Sequence, residues 1–199
     1  MIKFSDSKTK VNLARAFAGE CQDGARYQFL AKQALDEGYY YMQMIFKTHA
    51  KNEMAHAKRF YDLINEYSDE KLNNIDLTGG YPFSTGTLLE CIKDTMKTEQ
   101  SQSDVVYTDF AADAEEEGYP EIAQAFEFVS TVENCHFLML EQLYEKLKKD
   151  KLYASKELTK WKCSNCGFEH TATKCWETCP SCLMEQGYAE IKIDMNSGD

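Results

Sequence analysis

From about residue 8 to 36 the chain sets Leu13, Phe17, Glu20, Gly24, Tyr27, Ala31 and Ala34 at steps of three and four, which is one face of an α-helix. That stripe is apolar except for Glu20. A second helix is predicted from about 39 to 66, with Met42, Ile45, Phe46, Glu53, His56 and Phe60 on or near its inner face. Residues 67–86 hold Gly79, Gly80, Pro82 and Gly86 and read as a long connection. Thr87 to Glu90 has the form of a capping box opening a third helix. Pro120 suits the first turn of a fourth, which runs to about Leu147. Four helices of this length predict a bundle.

The pattern also repeats. Ala31, Ala34, Glu37, Gly38 and Tyr39 recur as Ala111, Ala114, Glu117, Gly118 and Tyr119, an offset of 80 that Tyr27 and Tyr107, Phe46 and Phe126, Glu53 and Glu133, and His56 and His136 also keep. Two related helical hairpins follow from this, joined by a crossover at 67–86. The periodicity stops after Lys148, where a charged stretch reads as a linker over 149–159. The expected organisation is a bundle over 1–148 and a small separate module over 160–199.

Composition narrows the partners. With 33 Asp+Glu against 22 Lys+Arg the formal charge is −11, an acidic balance that repels phosphate and argues against nucleic acid. No apolar run approaches the roughly 18 residues of a spanning helix, so no membrane partner is expected. The first ten residues lack the apolar core of a signal peptide. A reducing, cytoplasmic setting is the expectation, in which the eight cysteines serve as ligands rather than disulfides.

Two segments carry metal chemistry. Glu53 to His56 and Glu133 to His136 are both Glu-x-x-His, which puts carboxylate and imidazole on adjacent turns of one helix face. One such pair is ordinarily solvated. Two at the repeat offset, set among Ala, Phe and Met at core spacing, point inward instead. With Glu20 and Glu99 from the other two helices they form the ligand set of dinuclear carboxylate bundles, and four carboxylates balance two divalent cations. Glu20 precedes Tyr27 by seven residues but Glu99 precedes Tyr107 by eight. The extra residue predicts a π-bulge between Glu99 and Tyr107.

Cys163, Cys166, Cys179 and Cys182 form two C-x-x-C knuckles whose spacing closes a tetrahedral four-thiolate site, for zinc or for iron. Cys21, Cys91, Cys135 and Cys175 have no partner pattern. His49, four residues before Glu53, reads as a hydrogen-bonded core or rim histidine, and His170 as an exposed residue in the loop between the knuckles.

These residues resemble the rubrerythrin family, a ferritin-like di-iron domain followed by a rubredoxin domain. The resemblance rests on Phe17 to Glu20, Asn52 to Lys58, Phe110 to Gly118, Glu133 to His136, and Trp161 to Phe168 with Cys179 to Cys182. It implies a mainly α fold, a ferritin-like four-helix bundle with a small C-terminal rubredoxin-like β module. It implies two iron ions held by Glu20, Glu53, His56, Glu99, Glu133 and His136, with Glu53 and Glu133 bridging and Tyr27 and Tyr107 lining the pocket. One further iron is implied at the four cysteines, with zinc as a possible substitute. The implied activity is reduction of hydrogen peroxide to water, with electrons from an external NAD(P)H-dependent reductase or rubredoxin-type donor and a head-to-tail homodimer that shortens the path. The alternatives are a ferroxidase or iron-handling protein, or a non-catalytic zinc-stapled interaction module. The family usually carries a second third-helix Glu where this chain has Gln102, so Gln102 is a site residue of altered role, and either His56 stays bound in both redox states or turnover is altered. The loop from Glu169 to Thr178 also lacks the family's usual glycine and proline.

Overall fold

The computed structural model describes residues 2–194. Four long helical segments form the expected ferritin-like bundle: α1 (Lys8–Asp36), α2 (Tyr40–Tyr67), a third segment made of α3 (Leu88–Ser101), a π-helical stretch (Gln102–Val106) and α4 (Tyr107–Glu117), and α5 (Pro120–Lys148). α1 packs along α2 and the third segment along α5, so each hairpin is a unit and the irregular 68–86 stretch crosses between them.

The repeat is visible in how the helices end. Gly38 and Gly118 adopt φ of 81° and 89°, where a side chain would be strained. Tyr39 and Tyr119 donate their backbone N–H to Ala34 and Ala114 carbonyls, each at 2.8 Å, and the glycine N–H groups bond Leu35 and Glu115. Both helices therefore close with the same Schellman motif. Thr87 and Glu90 make the predicted capping box at the start of α3, with Thr87 Oγ1 accepting from Glu90 N–H.

The predicted π segment is present: Tyr107 N–H reaches the Gln102 carbonyl, five residues back. The Ser103 carbonyl within it accepts from the hydroxyls of Ser130 at 2.9 Å and Thr108 at 3.2 Å. The added residue turns Tyr107 onto the same buried face as Glu99.

Two apolar clusters fill the bundle. Leu13, Phe60, Leu63, Ile122 and Phe126 pack at one end, and Leu30, Met42, Phe46, Ile92, Leu140 and Leu143 at the other. Every helix passes from one cluster to the other through a polar position, so the core is interrupted midway by a layer of glutamates and histidines.

The C-terminal module is a hairpin of β1 (Ala154–Lys162) and β2 (Glu169–Lys174), antiparallel, with Trp161 opposite His170 and an irregularity between Ala154 and Thr159. β1 thus begins inside the stretch read as a linker, and His170 lies on β2, exposed, rather than in a loop. The strand begins early because Leu152 and Tyr153, behind the lysines that suggest a linker, pack inward. The module rests on the end of the bundle where α1 turns into α2. Tyr40 and Tyr188 stack at 4.2 Å, Ile191 joins the apolar cluster there, and Gln142 exchanges two hydrogen bonds with the Asp194 backbone.

Candidate metal centre

Glu20, Glu53, Glu99, Glu133 and His136 are almost fully buried, and His56 is partly so. Isolated carboxylates at that depth are costly, so their arrangement matters. His56 Nδ1 lies 3.2 Å from Glu20 Oε2, 3.3 Å from Glu53 Oε2 and 3.0 Å from Glu133 Oε1. His136 Nδ1 lies 3.0 Å from Glu53 Oε1, 3.0 Å from Glu133 Oε2 and 3.6 Å from Glu99 Oε2. Each imidazole therefore faces three carboxylates, and Glu53 and Glu133 present one oxygen to each side. Glu20 belongs to the His56 side alone and Glu99 to the His136 side alone.

This makes two sites that share two carboxylates. Within each set of four residues the ligand atoms lie within 4.8 Å of one another. Both oxygens of Glu53, one of Glu99 and one of Glu133 are buried with no well-directed hydrogen bond among the described residues, a demand that cations between them would meet.

The protonation states tell the same story. Burial raises Glu20 to about 8 and Glu99 well above the carboxylate range. Burial also opposes the charge on Glu53 and Glu133, but His136 and His56 outweigh it and hold both low, Glu53 at about 2. Both imidazoles resist burial through the surrounding glutamates and rise to about 12. Two carboxylic acids, two carboxylates and two imidazolium groups leave the cluster neutral near pH 7. Two divalent cations replacing those four protons keep it neutral, so the donor set fits a pair of such ions.

Two tyrosines cross-link the outer ligands. Tyr27 donates to Glu99 Oε1 at 2.6 Å and Tyr107 to Glu20 Oε1, so each hairpin's tyrosine steadies the other hairpin's carboxylate. Gln102, also buried, donates from Nε2 to Asp23 Oδ2 at 2.7 Å, and Asp23 is ion-paired with Arg26. Asp23 and Arg26 escape a reading of the repeat, because Ser103 and Val106 stand 80 residues on. His49 is a core histidine: it stacks on His136 at 4.3 Å and donates from Nε2 to Met139 Sδ at 3.1 Å. Burial first, then His136, push its pKa down to about 3.

In the module, Cys163, Cys166, Cys179 and Cys182 converge. Cys163 Sγ lies 3.7 Å from Cys182 Sγ, and Cys166 Sγ 3.8 Å from Cys179 Sγ. The knuckles mirror each other. Gly167 N–H bonds the Cys163 carbonyl at 2.8 Å and Leu183 N–H the Cys179 carbonyl at 2.9 Å, with both residues in the left-handed region at φ of 77° and 60°. All eight cysteines are free, and Cys175 is buried beside Trp161.

A rubrerythrin family model matches residues 11–100 and 90–164. The chain belongs to the rubrerythrin family. The rubrerythrin of Clostridium perfringens is 34% identical over 192 residues, covering 96% of this chain and 97% of that one. The rubrerythrin of Porphyromonas gingivalis is 33% identical over 185 residues, covering 92% and 90%. Among solved structures, mixed-valence nigerythrin matches with a TM-score of 0.62 at 23% identity, covering 96% of this chain and 94% of that one. A bacterioferritin of Desulfovibrio desulfuricans matches with a TM-score of 0.64 at 22% identity over 72% of this chain and 82% of that one. These two likenesses speak for the fold. As in other rubrerythrins, a carboxylate and histidine di-iron site candidate stands in the bundle and a four-cysteine cluster in the module. Among the described residues no helix is long and apolar enough to cross a membrane.

Proposed function

We propose that this rubrerythrin is a non-haem di-iron peroxidase that reduces hydrogen peroxide to water. Electrons would come from an external NAD(P)H-dependent reductase or a rubredoxin-type donor, and Cys163, Cys166, Cys179 and Cys182 would hold the iron that relays them. The observation that carries the reading is the pair of histidines, each facing three carboxylates, with Glu53 and Glu133 shared between them. Iron held there supplies two adjacent Lewis-acid centres and the two electrons that O–O cleavage requires.

The chain's own residues do the rest. Glu53 and Glu133 would serve both ions, since each presents one oxygen to each side. Glu20 and Glu99 close the outer positions, held by the hydroxyls of Tyr107 and Tyr27. Burial and the adjoining glutamates raise both tyrosines well above their usual range, so each keeps its proton and remains a donor beside the reacting space. Gln102 is neutral and its amide nitrogen is taken by Asp23, which supports a His56 that stays bound through the redox cycle. Apolar clusters flank the layer on either side.

A four-thiolate iron passes one electron at a time. The module sits near Tyr40, thirteen residues from Glu53 along α2, which is about 20 Å of helix. That separation supports a head-to-tail homodimer in which one chain's module faces the other's bundle. The test is to reduce the iron-loaded protein anaerobically and compare its reoxidation by hydrogen peroxide and by dioxygen. Faster reoxidation by peroxide supports the peroxidase; faster reoxidation by dioxygen makes the protein a ferroxidase.

A further inference from the structure

The two hairpins repeat the ligands but not what surrounds them. Tyr27 and Tyr107 match across the offset of 80 and hold Glu99 and Glu20 in the same way, so the outer carboxylates do not tell the two metal positions apart. The histidines do. Each turns Nδ1 toward its three carboxylates, which makes Nδ1 the nitrogen for a metal and leaves Nε2 to carry the ring's proton. A buried Nε2–H needs an acceptor.

His136 has one. Its side chain is 3% exposed, and its Nε2 lies 3.3 Å from Asn52 Nδ2. A half turn of that amide sets its oxygen where Nε2–H can donate to it. His49 covers the face of the ring, stacked at 4.3 Å with 24° between the planes, so ring edge and ring face are both held. His56 has neither support. Val132 and Val129 stand 80 residues on from Asn52 and His49, and valine neither accepts a hydrogen bond through its side chain nor stacks as a ring. Among the described residues His56 pairs through Nδ1 alone. Its side chain is 14% exposed, which leaves Nε2 to solvent.

We propose that Asn52 is a positioning residue for His136 and makes the two metal positions unequal. The Glu99 and His136 position binds its ion first and tightly; the Glu20 and His56 position holds its ion more loosely and is where metal is taken up and released. An acceptor on the outer nitrogen fixes the orientation of a ligating imidazole and raises its basicity, an effect of about 10–100-fold in metal affinity. The inference rests on the two-metal reading of the layer and not on the reduction of peroxide.

The test loads the full chain with Co²⁺, and an ion at the four cysteines is told apart by its thiolate-to-cobalt absorption. Competition with a chelator reads the two bundle ions, whose dissociation constants are expected to differ at least about tenfold. Asn52→Val, which copies the repeat position, should weaken the tighter site about 10–100-fold and close the gap. Asn52→Asp keeps an acceptor oxygen and should preserve it. Proton NMR of the cobalt-loaded wild type gives a second reading: of the two metal-shifted ring N–H signals, that of His136 should exchange with water slowly and that of His56 fast. Two bundle sites of equal affinity, a gap that Asn52→Val leaves unchanged, or two ring N–H signals that exchange alike overturns this inference alone. Fewer than two Co²⁺ in the bundle overturns it together with the two-metal reading.

Discussion

Glu117 offers a prediction about what joins the two hairpins. It closes α4 at the repeat position of Glu37, yet its carboxylate accepts from Lys8 N–H at 2.9 Å, Thr9 N–H at 2.8 Å and Thr9 Oγ1 at 2.6 Å. With Ser7 Oγ accepting from Lys10 N–H, it satisfies the first-turn donors of α1, which an isolated helix leaves open. Glu117 is 6% exposed, so Glu117→Ala strands the buried Thr9 donors and removes a negative charge from a helix N-terminus. At about 1–3 kcal/mol for a stranded buried donor and up to about 1 kcal/mol for the helix dipole, the loss is about 3 kcal/mol. That is about 6–12 °C in Tm for a chain of this size. The pH dependence has a definite sign. Burial opposes the charge, but the Thr9 and Lys8 hydrogen bonds outweigh it and lower the folded pKa. The contribution is complete above the unfolded value near about 4.3 and is lost as pH falls through the folded value. Thermal unfolding of wild type and Glu117→Ala at pH 7 should show the full gap, and the gap should narrow below about pH 4. A difference under about 2 °C at pH 7, or one that acid leaves unchanged, refutes the reasoning.

Other predictions concern the metal sites and the module's seat. Tyr27→Phe frees Glu99 from its hydroxyl partner and should weaken iron binding in the bundle about 10–100-fold, measured by chelator competition. Loading two ferrous ions near pH 7 should release close to four protons, two from Glu20 and Glu99 and two from His56 and His136; calorimetry in buffers of different ionisation enthalpy counts them, and a release below about two contradicts the site's charge balance. Cys179→Ser should abolish the visible thiolate-to-iron absorption and leave far-UV helicity intact, because Cys179 stands in the module alone. A Cβ at Gly187 would overlap the Gly38 carbonyl, so Gly187→Ala should lift the module from the bundle, seen as faster amide exchange at Tyr40 and Tyr188; unchanged exchange would show that the seat gives way.

Much of this fold is written locally. Helix faces, the Thr87 box and the two Gly-Tyr stops depend on neighbours a few residues apart, and each appears where its signal lies. The seven-against-eight spacing before Tyr27 and Tyr107 located the π segment, because only an inserted residue keeps both glutamate and tyrosine inside. The converging ligands were legible for the same reason: two Glu-x-x-His pairs at one offset define a layer. What the chain hides arises where distant segments meet. The Asp23, Arg26 and Gln102 cluster needs α1 against the π segment, and nothing in their spacing announces it. His49 reads as a core histidine, but its stacking on His136 depends on α2 meeting α5. The lysines after Lys148 masked a strand whose burial comes from contact with the bundle, and the close approach of Gly187 to Gly38 has no sequence signature.

Under the proposed function, two irons held in the buried layer would be oxidised together by peroxide. The most direct test is anaerobic stopped-flow of the fully reduced, iron-loaded protein mixed with one equivalent of hydrogen peroxide. Both bundle irons should be oxidised by that single equivalent, with water as product and a rate well above that with dioxygen. Slower oxidation by peroxide than by dioxygen would contradict the proposed function.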